Sequence, residues 1–432
     1  MTAPDPPGPP PSPSPSHPST SIPPARGFAL TLELIPDGTV TSAKGFIAGA
    51  VAAGIKDPAS DRLDLGLLAA DRPCTAVGMF TQSTVQGAPV VVSRRHLAGR
   101  RARGLIVNSG CANVCTGMQG IADAEEMAAL AAARLGCPAT EVVVASTGVI
   151  GRLLPMERIR AALPRIQLSP EGGMALAHAI MTTDTRPKHI AARFAVEGVT
   201  YTVGGIAKGA GMIHPDMATM FGFLTTDAPV PPEHLDDLLR SAVRDTFNMI
   251  SVDHDTSTSD TVTLFASGAA GGPPLTPAHP AWAPLAQAVL AVCRHLAREI
   301  ARDGEGATKL IEVRITGAAS EEEARRAART VSASPLVKAA VYGNDPNWGR
   351  IMMAVGRSGA RVDLERVKVM IGDVVLYADG APLPLDEERT RAALRGPEVV
   401  LAADLGVGSA SAVAWGCDLT EEYVKINAEY TT

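Results

Sequence analysis

From about Arg26 to the end of the chain, short apolar runs alternate with helix-patterned stretches, and no flexible linker separates them. That alternation restricts the chain to mixed α/β folds built in layers. Residues 88–93, 104–108 and 141–146 read as buried strands. Between the last two, residues 121–135 are alanine-rich, with Glu125 and Glu126 early and Arg134 late, which suits a helix dipole. Residues 155–163 and 170–181 read as further helices, and 200–205 as a strand. In the second half, 221–226, 260–266 and 310–316 read as strands, and 232–247, 285–301 and 321–331 as helices. Leu235, Leu238, Leu239, Ala242 and Val243 form one apolar stripe on the first of these helices. Residues 397–416 read as two strands around the turn Gly406-Val407-Gly408. No short repeat is present.

Composition excludes several classes. The net charge is −6, whereas a nucleic-acid binder carries a basic excess. No apolar run approaches the ~18 residues of a membrane span. Residues 1–25 are mostly Pro, Ser and Thr, so a disordered tail is expected there rather than a secretory signal. The six cysteines, at 74, 111, 115, 137, 293 and 417, are scattered and lack histidine pairs. They read as buried thiols of a reducing compartment, and a cytoplasmic protein is expected.

The chemistry concentrates in a few segments. Near the midpoint runs Lys208-Gly209-Ala210-Gly211-Met212-Ile213-His214-Pro215-Asp216-Met217-Ala218-Thr219-Met220. Its two glycines and proline make a tight turn, and Ala218-Thr219 places a small residue before a hydroxyl. A chain that cut itself there would release a threonine carrying nucleophile and amine on one residue. Upstream, Ala145-Ser146-Thr147-Gly148 runs from a strand into a turn. Such a turn either presents donors to an oxyanion or is a plain Ser/Thr/Gly turn. Thr182-Thr183-Asp184-Thr185 follows a helix and suits amide or carboxylate binding, or a capped helix end.

Glu305, between Gly304 and Gly306, reads as a carboxylate on a tight turn; the flanking residues do not fit a phosphate loop. Residues 253–260 fail the EF-hand pattern, having Thr258 and Leu264 where glycine and glutamate belong, so they read as a polar turn supporting a site. The basic residues Arg94, Arg95, His96, Arg100, Arg101 and Arg103 read as a solvated loop. No Gly-x-Ser-x-Gly elbow occurs.

Taken in order, these segments resemble the ornithine acetyltransferase family of arginine biosynthesis. The likeness begins near Ala43-Lys44-Gly45-Phe46. It includes Asn108-Ser109-Gly110-Cys111-Ala112-Asn113, Asp255-Thr256-Ser257-Thr258, Pro346-Asn347-Trp348-Gly349-Arg350 and the tail Asn427-Ala428-Glu429-Tyr430-Thr431-Thr432. The resemblance implies an αββα-type α/β sandwich like that of N-terminal-nucleophile hydrolases. It implies self-cleavage between Ala218 and Thr219, giving an α subunit of residues 26–218 behind the tail and a β subunit of 219–432. Thr219 would be the nucleophile, with Thr147 and Gly148 as the oxyanion hole. Thr182, Lys208, Thr219, Glu305, Asn427 and Thr432 would bind substrate. The implied reaction moves an acetyl group from N2-acetyl-L-ornithine to L-glutamate, with no metal or other cofactor. The implied assembly is α2β2, with no nucleic-acid or membrane partner.

Acetyl-CoA stays open as a second donor. Two alternatives also stay open: a specialised paralogue of secondary metabolism, and a self-processing amidohydrolase or aminopeptidase in which water replaces glutamate. Cys111, His254 and Asp216 depart from the family pattern without touching the expected nucleophile.

Overall fold

The computed structural model describes residues 32–214 and 220–429. The expected tail of residues 1–25, the Ala218–Thr219 bond and Thr432 lie outside the described residues. The strands are β1 (Glu33–Ile35), β2 (Phe46–Val51), β3 (Leu65–Phe80), β4 (Arg101–Asn108), β5 (Val142–Ser146), β6 (Lys188–Val196), β7 (Val199–Lys208) and β8 (Phe221–Thr226). They continue with β9 (Ile250–Ser251), β10 (Thr261–Ala266), β11 (Leu310–Ala318), β12 (Lys368–Ile371), β13 (Val374–Ala378), β14 (Ala381–Pro382), β15 (Glu398–Asp404) and β16 (Ala410–Cys417). The helices are α1 (Ala88–His96), α2 (Gly117–Leu135), α3 (Met156–Ala162), α4 (Gly173–Ala179), α5 (Pro232–Asp245) and α6 (Trp282–Arg302). Beyond these lie α7 (Glu321–Ser332), α8 (Pro335–Tyr342), α9 (Trp348–Gly356), α10 (Glu387–Arg395) and α11 (Glu421–Glu429).

One sheet runs β1-β6-β7-β8-β10-β3-β4-β5, with β2 also paired to β3. The register of β3 against β4 breaks between Ala69 and Cys74. Before the break β3 pairs with β2, and after it with β10. The break lets the sheet turn back over itself. Leu68, Leu105 and Val143 from one half share a buried cluster with Ile206, Phe221, Phe223 and Phe265 from the other. Helix α4 packs there too, with its Leu176 and Ala177 and the following Ile180 in the same cluster.

Helices cover both outer faces. On one side Ala124, Met127, Ala128 and Ala131 of α2 pack on Leu67, Ile106 and Val144. On the other, Leu239 of α5 and Val289, Val292 and Leu296 of α6 pack on Ile190, Val203, Leu224 and Leu264. The expected αββα layering is therefore present. A second sheet, β14-β13-β12-β15-β11-β16-β9, extends it. Ile311, Val313 and Ile315 of β11 join the α6 cluster, and Ala324, Ala328 and Val331 of α7 pack into it too. From Leu32 onward the chain forms one compact unit.

Strands β8 and β10 sit between β7 and β3. Segments from before and after residue 218 thus alternate within one sheet.

Three expectations need correction. Residues 88–93 are helical, in α1, not a strand. Pro89 stands in the first turn, where its missing N–H costs nothing, and Arg94, Arg95 and His96 fill the last turn, where cations suit the dipole. Those local signals outweigh the β-preference of Val90-Val91-Val92. The basic cluster is consequently not a loop: its first half ends α1, Arg101 begins β4, and His96 is buried with Nδ1 2.8 Å from Val142 O. The two strands expected within 397–416 are β15 and β16, and β11 lies between them in the sheet. All six cysteines are free, and Cys74, Cys111, Cys293 and Cys417 are buried as expected, but Cys115 is exposed and Cys137 only half-buried.

Candidate active site

Strand β5 ends at Ser146, and the chain turns inward through Thr147 and Gly148. The Thr147 N–H donates to Asn108 O at 3.0 Å, which ties the turn to the end of β4. Gly148 has φ +125°, and a Cβ there would lie 2.4 Å from Gly110 C. Only glycine fits such a contact. The Gly148 N–H makes no hydrogen bond among the described residues.

Lys208, the last residue of β7, reaches the same turn. Its Nζ donates to Thr147 Oγ1 at 3.4 Å. Thr147 spends a lone pair on this contact and keeps its own hydroxyl proton for another acceptor. Lys208 is buried, and burial pulls its pKa down; Asp184, Asp260 and Glu305 offset this only in part.

A buried ionic network braces the wall. Asp184 Oδ1 accepts from Lys188 Nζ at 2.7 Å and from Gly209 N at 2.6 Å, and its Oδ2 accepts from Thr182 N at 3.0 Å. Lys188 Nζ also donates to Asp303 Oδ2 at 2.6 Å. Asp303 in turn accepts from Thr185 N at 3.1 Å and from the Thr185 hydroxyl. Burial alone would raise the pKa of Asp184, but Lys188, Lys208 and the Gly209 N–H outweigh it and hold the value at about 2. One carboxylate thus fixes both Thr182 and the backbone that follows Lys208.

Glu305 follows α6 in a turn held by Glu305 N to Ala210 O at 2.9 Å. Its Oε2 accepts from Asn427 Nδ2 of α11 at 2.8 Å. Gly211 packs so closely that a Cβ there would lie 2.4 Å from the Glu305 carboxyl carbon. The chain entering residues 215–219 is also fixed: Asp253 accepts from Met212 N at 2.6 Å and from Ile213 N at 2.8 Å. The polar turn of residues 253–260 therefore supports the site as expected.

Thr147, Gly148, Thr182, Lys208, Glu305 and Asn427 all line one cleft, and Met220 lines it too. Ala218, Thr219 and Thr432 lie outside the described residues. Two contributors escaped the sequence reading. Asp184 stands inside the Thr182–Thr185 motif, and its signal in the sequence is the opposite charge four residues on at Lys188. Asp260 also lines the cleft; it is 2% exposed, and its Oδ2 has no hydrogen-bond partner among the described residues. Burial holds its pKa well above the usual carboxylate range.

The cleft joins the Thr147 hydroxyl and Gly148 N–H, the buried Lys208 ammonium and the Glu305 carboxylate. Chemically, such a set of groups can stabilise an oxyanion and hold substrates of either charge.

Residues 47–432 match the ArgJ family. The chain is 51% identical over 397 residues to the arginine biosynthesis bifunctional protein ArgJ of Symbiobacterium thermophilum, covering 91% of this chain and 99% of the relative. It is 48% identical over 402 residues to the protein of the same name from Dehalococcoides mccartyi, covering 93% and 99%. A crystal structure of arginine biosynthesis bifunctional protein argJ from Bacillus halodurans is 46% identical, with a TM-score of 0.47, over 49% of this chain and 98% of that one.

Proposed function

The chain belongs to the ArgJ family, and from that premise we propose that it moves the acetyl group of N2-acetyl-L-ornithine to L-glutamate through an acetyl ester on Thr219. It is a glutamate N-acetyltransferase of arginine biosynthesis. The observation that carries this reading is the convergence of Thr147, Gly148, Thr182, Lys208, Glu305 and Asn427 on one cleft whose wall includes Met220, the residue next to Thr219.

Cleavage of the Ala218–Thr219 bond frees the Thr219 amine. In its neutral form that amine takes the proton from Thr219 Oγ, which attacks the acetyl carbonyl; an α-amine titrates near pKa ~8, close to its working pH. The oxyanion takes hydrogen bonds from the Thr147 hydroxyl and the Gly148 N–H. The proton passes to the departing nitrogen, the amide bond breaks, and ornithine leaves. The amine of glutamate then attacks the acetyl ester, loses a proton to the Thr219 amine and departs as N-acetylglutamate, restoring Thr219.

Lys208 keeps the Thr147 hydroxyl aimed into the cleft, and its remaining protons suit the α-carboxylate common to both amino acids. Glu305 suits the side-chain ammonium of ornithine. The same carboxylate would repel the side chain of glutamate, by about 4 kcal/mol at ~4 Å and an effective dielectric of ~20.

The two products of cleavage would be an α subunit ending at Ala218 and a β subunit beginning at Thr219, pairing as α2β2. Acetyl-CoA is proposed as a second acetyl donor, in keeping with the bifunctional naming of the relatives.

Purified protein is expected to run as two pieces on a denaturing gel, the second with the N-terminal sequence Thr-Met-Phe. With N-acetylornithine and glutamate it is expected to form ornithine and N-acetylglutamate in equal amounts. An active chain that stays uncut at 44.7 kDa would overturn the mechanism.

A further inference from the structure

A second hollow lies against the first, separated by the oxyanion turn. Gly148 and Thr182 line both. The second hollow is otherwise bounded by Lys56, Arg62, Ser109 and Gly110, among others. Lys56 and Arg62 are its cations and Asp57 and Asp64 its acids, whereas the first cleft holds Lys208 with Glu305 and Asp260.

Arg62 is tied to the shared wall. Its Nη2 donates to Thr182 O at 3.1 Å. The N–H of that same Thr182 is held by Asp184, so the guanidinium is anchored to the most strongly braced part of the site. Yet Arg62 forms no ion pair with a carboxylate among the described residues, although most arginines of the molecule do; Arg72, Arg160, Arg298 and Arg302 are examples. The hollow's own acids spend their oxygens on backbone N–H groups. Asp64 gives its two oxygens to Ala53 N and Ile55 N, both at 2.6 Å; burial raises its pKa and the charge of Arg62 lowers it only in part, with no ion pair formed between the two. Asp57 accepts from Ala59 N at 2.9 Å within its own turn. A guanidinium with unused donors, placed beside an acyl-transfer turn, is suited to a planar carboxylate.

Resting on the acetyl-transfer reading, we propose that the Arg62 hollow is the subsite for the side-chain carboxylate of the acetyl acceptor. The two amino acids share an α-amine and an α-carboxylate and differ in side-chain charge. The cationic side chain lies toward Glu305, on one side of the Thr147–Gly148 turn. The anionic one lies toward Arg62, on the other. One nucleophile thereby serves both half-reactions without exposing either side chain to a like charge.

The test is steady-state and rapid-quench kinetics on the cleaved enzyme and on Arg62→Gln and Arg62→Lys. Arg62 is exposed, so both variants are expected to fold and cleave normally. In Arg62→Gln the KM for glutamate should rise roughly tenfold or more, as loss of a charge-assisted contact implies. The preference for glutamate over glutamine as acceptor should disappear. The burst of ornithine released from N-acetylornithine should keep its wild-type rate, and Arg62→Lys should recover part of the lost affinity. An unchanged KM and unchanged glutamate preference in Arg62→Gln would overturn the subsite. So would a variant whose only defect is in acetyl-CoA use, which would make the hollow a donor site. If the wild type itself releases no ornithine, the acetyl-transfer reading fails and the subsite with it.

Discussion

Lys208 and Thr147, 61 positions apart, meet at 3.4 Å between Nζ and Oγ1. The end of β7 is thereby joined to the turn after β5. If the lysine orients the hydroxyl, the two residues act as a unit. Thr147→Ala should lower kcat by about 10² to 10³, the usual range for an oxyanion donor. Lys208→Met should lower kcat/KM as well. In the double variant the losses should fall short of their sum by about 0.5–3 kcal/mol, as expected of residues in contact. Kinetics on the four proteins with N-acetylornithine measure this, and strict additivity would refute the coupling.

Gly148→Ala tests the turn itself. Its φ of +125° and the 2.4 Å approach of a Cβ to Gly110 C leave no room for a methyl group. Backbone strain of about 1–3 kcal/mol is expected, with a lower melting temperature and loss of transfer. A variant with normal melting and normal turnover would contradict the packing described.

Asp184 makes stability sensitive to strong acid. Its folded pKa of about 2 lies below the ordinary 3.8. The unfolded chain therefore takes up the proton first, so the stabilisation is present above pH ~4 and is lost as pH falls toward 2. Denaturant titrations of wild type and Asp184→Asn across that window should show the slope weaken in the variant. Lys188 keeps Asp303 as a partner, so the variant's cost at pH 7 should fall at or below the ~3 kcal/mol lower end for broken buried pairs.

Asp260 acts in the opposite sense. Burial raises its folded pKa well above 3.8, so the folded state holds the proton longer than the unfolded chain. Its contribution to stability therefore falls as pH rises through the interval between those two values. Asp260→Asn removes the titration. Its melting temperature should drop less than that of the wild type between pH 5 and pH 8, as followed by circular dichroism. An equal drop would show that Asp260 is ionised in the folded protein.

The layered fold was legible because apolar runs and helix stripes are local signals. The strands of residues 104–108, 221–226 and 310–316 and the helix of 232–247 all lie where the pattern placed them. Local signals misled at Ala88–His96, where three valines suggest a strand and Pro89 and the terminal cations support a helix. The cleft residues were legible through ordered motifs and not through spacing, since Thr147 and Glu305 meet only after the sheet is assembled. The brace was hidden for the same reason. Lys188 and Asp303 are 115 positions apart, and no pattern in either segment names the other. Arg62 carries no sequence signal, because what sets it apart is its place beside Thr182 without an ion pair, a property of three-dimensional surroundings alone.

The sheet order β7-β8-β10-β3 has a consequence for how such a protein must be made. A backbone break at residue 218 opens no seam, because strands from the later half are wedged between strands from the earlier half. Two separately encoded polypeptides would each reach the cell with raw sheet edges and half a hydrophobic interior. Each would be open to mispairing before finding the other. Synthesis as one continuous chain lets the parts template one another at an effective concentration no two-gene arrangement matches. The scission proposed above would then be a finishing step, carried out on an object already assembled.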